Sequence, residues 1–370
     1  MTQSRGEMLE SNSETLLFDI KELEPYMEIS KVGPAGIQGR IFTPSEENIQ
    51  AMKEYFYRNG FLPYFDKTHE MESPHIIRLV PLDPRQLESI VKPKKSNIAV
   101  NIVLFVATVF TTLLVGSFNR GGNPFHNVLD IFLGIPFSFS LLLILGGHEL
   151  GHYFTSKRYG VSVTLPYFLP IPHPLIGTMG AFIRIKSILP NRRALIRIGA
   201  LGPIIGFILT IPITLIGLAL SRPVRVTDFS GSIGLGSSLL FNFFSYLLHP
   251  HIPQGYDLVL HPMAFAGWLG FFVTAMNLLP LGQMDGGHIA YAIFGKYRKY
   301  VTIGIIVTMI LLGFLWQGWF FWVLLIVLLG LRHPKSQDEI TQIKTSDKLI
   351  AITALVVLIL AFIPVPFPIK

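Results

Sequence analysis

A polytopic α-helical membrane protein is the fold class that this chain predicts, with about seven transmembrane helices, a membrane-associated strand or loop segment, and a small amino-terminal α+β cytoplasmic domain. Three observations carry that expectation. Half of the 370 residues are hydrophobic and only 14% are charged, and the mean hydropathy is positive, a balance that no ordinary soluble domain of this length shows. Apolar runs fall near 97–117, 129–155, 195–220, 263–281, 299–316, 318–331 and 348–364, at or close to the length that crosses a bilayer. The basic residues stand beside these runs: Lys92, Lys94 and Lys95; Lys157 and Arg158; Arg192, Arg193 and Arg197; Lys296, Arg298 and Lys299; Arg332 and Lys335. With seven crossings all of these clusters share one side, cytoplasmic by the positive-inside rule, while the loops 118–128 and 221–262 carry few Lys or Arg. The net charge of +7 is therefore a topology signal and not the footprint of a nucleic-acid partner.

The elements follow in chain order. Residues 1–30 are acidic and weakly patterned, and are expected to be mobile. Residues 31–95 read as the α+β domain: Thr43-Pro44-Ser45-Glu46 suits a capping box opening a helix that ends at Gly60, between strand-like segments 36–42, 61–65 and 75–80. Residues 96–331 form the membrane core. Within it, 161–186 is apolar but crowded with Pro166, Pro170, Pro172, Pro174, Gly177 and Gly180, which a spanning helix would not tolerate. It reads as irregular or strand structure dipping into the cytoplasmic side, with 180–185 an edge strand able to pair with an extended peptide. The apolar stretch around 299–331 is too long for one crossing, and Trp316-Gln317-Gly318-Trp319 supplies the turn of a hairpin. Residues 332–370 form a linker and a last transmembrane helix. No cleavable signal peptide is evident at the amino terminus.

Chemistry concentrates at His148-Glu149-Leu150-Gly151-His152, inside the second apolar run. On a helix the two histidines stand at i and i+4 on one face and can share one metal ion, while Glu149 can take a proton from a water that the metal acidifies. Charged groups at that depth are costly, so they are expected to face a protein interior or cavity. With no Cys in the chain, a zinc site must be built from His and carboxylate. A catalytic zinc takes three protein ligands, and Asp285 is the candidate third: Pro280 and the glycines around it break the helix that begins near Met263. The crossing order brings His152 and Asp285 to the same cytoplasmic depth. His288, one turn on, is a rival ligand. His249, His251 and His261 in the 221–262 loop offer a weaker second metal cluster, and the Gly-rich 230–236 stretch lacks the Lys of a phosphate-binding loop.

His148-Glu149-Leu150-Gly151-His152 together with Asn277-x-x-Pro280-x-x-x-x-Asp285-Gly286 resembles the paired motifs of the site-2 protease family of intramembrane metalloproteases. Gly177–Ser187 and Gly202-Pro203-Ile204-Ile205-Gly206 resemble segments between those motifs, and the resemblance covers about 97–331. It implies a Zn2+-dependent endopeptidase that cuts transmembrane segments of single-pass or other membrane proteins, with His148, His152 and Asp285 as ligands, Glu149 as base and Asn277 positioning substrate or the developing oxyanion. The edge residues Gly180, Ala181, Phe182 and Ile183 are expected to position substrate. No insertion like a PDZ module and no pair of CBS-like repeats is apparent. The amino-terminal unit resembles that of chloroplast and related bacterial members. The membrane is expected to be a bacterial cell membrane with a cytoplasmic amino terminus, with an organelle membrane as the alternative, since the absence of Cys and of targeting motifs does not distinguish them. A multipass metal-ion transporter, or a non-catalytic membrane binding protein of the same fold, are the rival expectations.

Overall fold

The structure, a computed structural model, describes residues 19–33, 36–68, 70–71, 74–82, 97–171, 173, 175–225, 234–329 and 335–368. It is mostly helical, with small antiparallel sheets, and divides into two compact units. The clusters at Lys92–Lys95 and Arg332, Pro172 and Pro174, and most of the 230–236 stretch lie outside the described residues.

The first unit gathers the described residues up to 82 with the segments 186–195 and 335–345. Its sheet joins β1 (Met27–Gly33), β2 (Gly36–Ile41), β3 (Phe61–Lys67) and β4 (His75–Pro81) in the order β1-β2-β4-β3, and helix α1 (Glu46–Arg58) supplies Ile49, Met52 and Phe56 to the core. The amino-terminal stretch expected to be mobile to residue 30 is structured from Asp19 onward, with a 3-10 turn at Ile20–Leu23 and the strand β1, whose Met27 and Val32 are buried in the same core. Residues 1–18 lie outside the described residues. The helix start also differs from expectation. Ser45, not Thr43, is the N-cap, its Oγ accepting from Asn48 N at 3.2 Å. Glu46 is the first helical residue, and its carboxylate is taken by Arg193 instead of closing a capping box.

The two later segments of this unit were invisible as such in the sequence, because they belong to it only through long-range bonds. Lys53 is buried yet donates to Pro190 O at 3.0 Å, and Gln337 Nε2 donates to Tyr57 Oη at 2.6 Å. Asp338, fully enclosed, caps the turn after it by accepting from Ile340 N and Thr341 N at 2.8 and 2.9 Å.

The second unit holds α2 (Ile98–Phe118), α3 (Ile135–Arg158), α4 (Arg192–Ala219), α5 (Leu239–Leu248), α6 (Pro262–Leu278), α7 (Asp285–Phe294), α8 (Arg298–Gly313), α9 (Gly318–Leu329) and α10 (Thr345–Ala361), apart from the first residues of α4 and of α10. Three stretches, Ile98–Phe118, Val128–Arg158 and Arg192–Ala219, are long and apolar enough to cross a membrane. Among the described residues the remaining apolar helices are of at most 17 residues. The stretch expected to be a hairpin is one: α8 and α9 meet at a turn where Trp319 Nε1 donates to Pro364 O at 2.7 Å.

Glycines set how closely three of the apolar helices approach. A Cβ at Gly267 would fall 2.1 Å from Thr214 Oγ1, one at Gly270 2.6 Å from Thr210 Oγ1, and one at Gly151 2.9 Å from Leu201 O. Helix α6 therefore meets α4 backbone to side chain and α3 meets α4 backbone to backbone, the small-residue contacts that membrane helices use where lipid supplies no hydrophobic drive.

Two expectations about this unit change. The 221–262 region is not merely a loop: it holds β7 (Arg222–Arg225) paired with β8 (Tyr256–Val259), and α5, whose Phe241 and Phe244 enter the core. The edge strand, expected over 180–185, is β6 (Thr178–Phe182), paired with β5 (Tyr167–Pro170). Pairing shifts between Phe168 and Pro170, where proline cannot donate to a ladder, and Ile185 forms only an isolated bridge to Val163.

Candidate metal centre

Helix α3 presents His148 and His152 one turn apart, and both are buried, with 4% and 6% of their surfaces exposed. Asp285 arrives from a different part of the chain. After Leu278 the helix α6 ends, a tight turn follows through Leu279–Met284, and Asp285 opens α7. The two glycines after it are needed there: a Cβ at Gly286 would fall 2.0 Å from Leu278 O, and one at Gly287 2.5 Å from Gly282 O. That packing folds the new helix back onto the old one and turns the carboxylate inward.

The three side chains converge on one point. His148 Nε2 and His152 Nε2 are 3.0 Å apart, and Asp285 Oδ2 is 3.2 Å from each. Their ligand atoms form the only cluster of three or more His, Cys, Asp or Glu with metal-holding spacing among the described residues. Ligands held about 2.0–2.1 Å from a tetrahedral zinc stand roughly 3.3 Å from one another, so this donor set fits that ion without rearrangement. The tautomer is also arranged for it. His152 Nδ1 donates to Ile198 O at 2.7 Å, which leaves the Nε2 lone pair pointing at the cluster.

Other groups surround this core. Glu149 is 6% exposed and accepts a hydrogen bond from the backbone of Ile183, just beyond β6. Asn277, near the end of α6, places Nδ2 3.5 Å from His148 Nε2. Of the edge residues singled out in the sequence, Ile183 reaches Glu149, while Gly180, Ala181 and Phe182 lie in β6. His288 is in the first turns of α7 but outside the three-ligand cluster. The histidines of the 221–262 region do not converge: His249 Nε2 donates to Leu218 O at 2.8 Å, and His261 caps α6, accepting from Met263 N at 3.4 Å.

One set of site-forming residues was quoted in the sequence without a role. Gly202 and Gly206 on α4 lie directly under the two histidines: a Cβ on Gly202 would fall 2.2 Å from His152 Nε2, and one on Gly206 3.2 Å from His148 Cβ. Gly199, one turn earlier, admits α7, since its Cβ would meet Asp285 O at 2.8 Å. The i, i+3, i+7 spacing of these glycines was the readable signal, a small-residue face on an otherwise bulky helix.

Comparison with known proteins agrees with this geometry. Residues 136–317 match the model of peptidase family M50. The protein named probable zinc metalloprotease EGY2, chloroplastic, of Arabidopsis thaliana is 32% identical over 251 residues, covering 66% of this chain and 44% of the relative. The one named probable zinc metalloprotease EGY1, chloroplastic, of the same plant is 33% identical over 248 residues, covering 62% and 43%. An EGY2 protein of Oryza sativa subsp. indica is 29% identical over 279 residues, covering 71% and 49%. The chain thus spans less than half the length of these curated relatives. No solved structure matches it. With the matched segment running from the start of α3 through α8 and enclosing all three converging side chains, the chain is similar over that segment to peptidase family M50, the site-2 protease family.

Proposed function

We propose that this chain is a zinc-dependent intramembrane endopeptidase that hydrolyses peptide bonds within or near transmembrane segments of other membrane proteins. The observation that carries the reading is the convergence of His148 Nε2, His152 Nε2 and Asp285 Oδ2, with the Glu149 carboxylate adjoining on the same helix. His148, His152 and Asp285 would hold the ion, which when bound supplies Lewis acidity to a water and to a peptide carbonyl. The protein's own groups do the rest. Ile198 O orients His152, Glu149 takes the proton of the attacking water and returns it to the leaving amine, and Asn277 Nδ2 donates to the carbonyl oxygen as negative charge develops.

The substrate's place is supported by the helical wheel of α3, on which each residue advances about 100°. Phe168 of β5 lies over Gly146, the Phe168 ring 3.8 Å from a Cβ placed there. Ile183, beyond β6, meets Glu149, about 60° round, and His152 and His148 follow in the same sense at about 120° and 160°. The next strand position after β6 therefore lies toward the ligands. Among the described residues β6 has no strand on that edge, so an extended peptide added there would bring its carbonyls to Glu149 and the ion. Local unwinding of a substrate helix is required, because a helical peptide bond is enclosed by its own side chains and hydrogen bonds.

The same reading includes seven crossings, an amino terminus on the cytoplasmic side, and a division into a leading segment to residue 30, an α+β domain over 31–95, a protease core over 96–331 and a carboxyl-terminal crossing. The membrane is a bacterial cell membrane or an organelle membrane. The test is cleavage of a panel of single-pass reporters by purified protein, with bound zinc measured per chain. Wild type is expected to bind one zinc and cut. Glu149→Gln is expected to keep the zinc and lose about 10²- to 10⁴-fold in rate. Full cleavage by Glu149→Gln would sink the mechanism, and metal flux without cleavage would favour a transporter.

A further inference from the structure

The β5–β6 ribbon has two strands, and a two-stranded ribbon is marginal on its own. Helix α2 holds it at two points. Asn101, 5% exposed, donates from Nδ2 to Leu165 O at 3.0 Å and to Pro166 O at 2.8 Å, immediately before β5. Ten residues along α2, about 15 Å, Thr111 makes its shortest hydrogen bond to Gly177 O, at 2.7 Å, immediately before β6. Gly177 has φ +75°, and a Cβ there would fall 2.8 Å from Thr111 O, so the ribbon backbone rests directly on the helix backbone. Between the two points Phe105 packs edge-on against Phe168, ring centroids 5.1 Å apart.

None of these residues belongs to the metal centre, yet together they fix the start of both strands to one rigid element. We propose that Asn101 and Thr111 are positioning residues for substrate: by strapping the β5–β6 ribbon to α2 they set the depth and register at which the open edge of β6 receives an extended peptide. The inference rests on the reading of that edge as the substrate's seat. Its energetic logic is preorganisation, since a ribbon already ordered loses less freedom when a peptide joins it. The groups that act on the bond are on α3, α6 and α7, so loosening the straps acts on KM and spares kcat.

The test uses the purified full chain, a labelled single-pass poly-Leu/Ala peptide with a central helix-breaking Asn-Pro pair, and the near-isosteric variants Asn101→Leu and Thr111→Val. Each is expected to raise KM about five- to tenfold through loss of its bonds, with kcat within about twofold and zinc per chain unchanged, and Thr111→Ser is expected to restore KM. A merely structural role would lower kcat and zinc content together, and that outcome overturns the proposal. A second readout needs no cleavage. With a photo-cross-linking residue at the exposed Met179 of β6, in a Glu149→Gln background, the peptide is captured, and capture falls in both strap variants. Capture without cleavage in the corresponding active chain would sink the peptidase reading but leave the straps. Unchanged KM and capture in both variants, or no capture with intact straps, would overturn the straps.

Discussion

Gly202 shows how little room the metal centre has at the scale of one residue. The imidazole of His152 fills the place that a Cβ on Gly202 would take, so a methyl group there would overlap the ring. Gly202→Ala is therefore expected to lower zinc per chain measurably while leaving secondary structure intact, because Ala favours a helix interior and the helix itself gains. Metal analysis beside circular dichroism checks it; full zinc occupancy would show that the ring can move aside. Lys53 in the first unit makes a prediction of another kind. Burial depresses its pKa below the 10.5 of an ordinary lysine, outweighing the nearby Asp338 and Glu46 carboxylates. Between the lowered folded value and 10.5 the unfolded chain holds a proton that the folded chain has lost, so stability rises with pH across that window. Resistance of this unit to proteolysis in urea should increase as pH is raised toward 10.5, and Lys53→Met should flatten that slope.

Helix α10 depends on one ion pair at the scale of the element. Asp347 in its first turn is fully buried, and its Oδ1 accepts from Arg197 Nε of α4 at 2.6 Å, with Ser346 Oγ 3.2 Å from Arg197 Nη2. Arg197 is a quarter exposed but Asp347 is enclosed, so Arg197→Met, which leaves the carboxylate without its cation, is expected to cost about 3 kcal/mol, read as a lower Tm, while the double change Arg197→Met with Asp347→Leu recovers most of it. A Tm unchanged in Arg197→Met would mean that water reaches the carboxylate. Elements differ in how visible they were beforehand. The helix that carries His148 and His152 was legible from local periodicity and apolar length, and so was the turn at Trp316–Trp319. The bounds of β6 were not, because its start lies across the ribbon from Pro170 and its end is where Ile183 turns to Glu149. α4 also runs through Pro203 and Pro212, since bundle packing maintains a helix that local rules would break there.

The whole molecule offers an unusually clean test of topology, because the chain contains no Cys and any introduced thiol is unique. In intact membrane vesicles, Glu54→Cys and His126→Cys are expected to react with a membrane-impermeant maleimide from opposite sides, as the seven-crossing reading requires. Labelling of both from one side would refute it. What the sequence determined by itself was chemical and local: an apolar surrounding from composition, stretches long enough to cross a membrane from apolar length, a paired-histidine helix from i, i+4 spacing, and a candidate third ligand from the break before Asp285. Only the tertiary structure decided which atoms meet. The 3.2 Å approach of Asp285 to both histidines, the glycine bed of α4 beneath them, the straps from α2 to the β5–β6 ribbon, and the enlistment of residues 186–195 and 335–345 into the first unit all join positions far apart in the chain. Periodicity reports the face that a residue presents, but the partner of that face is chosen by close packing of the complete fold.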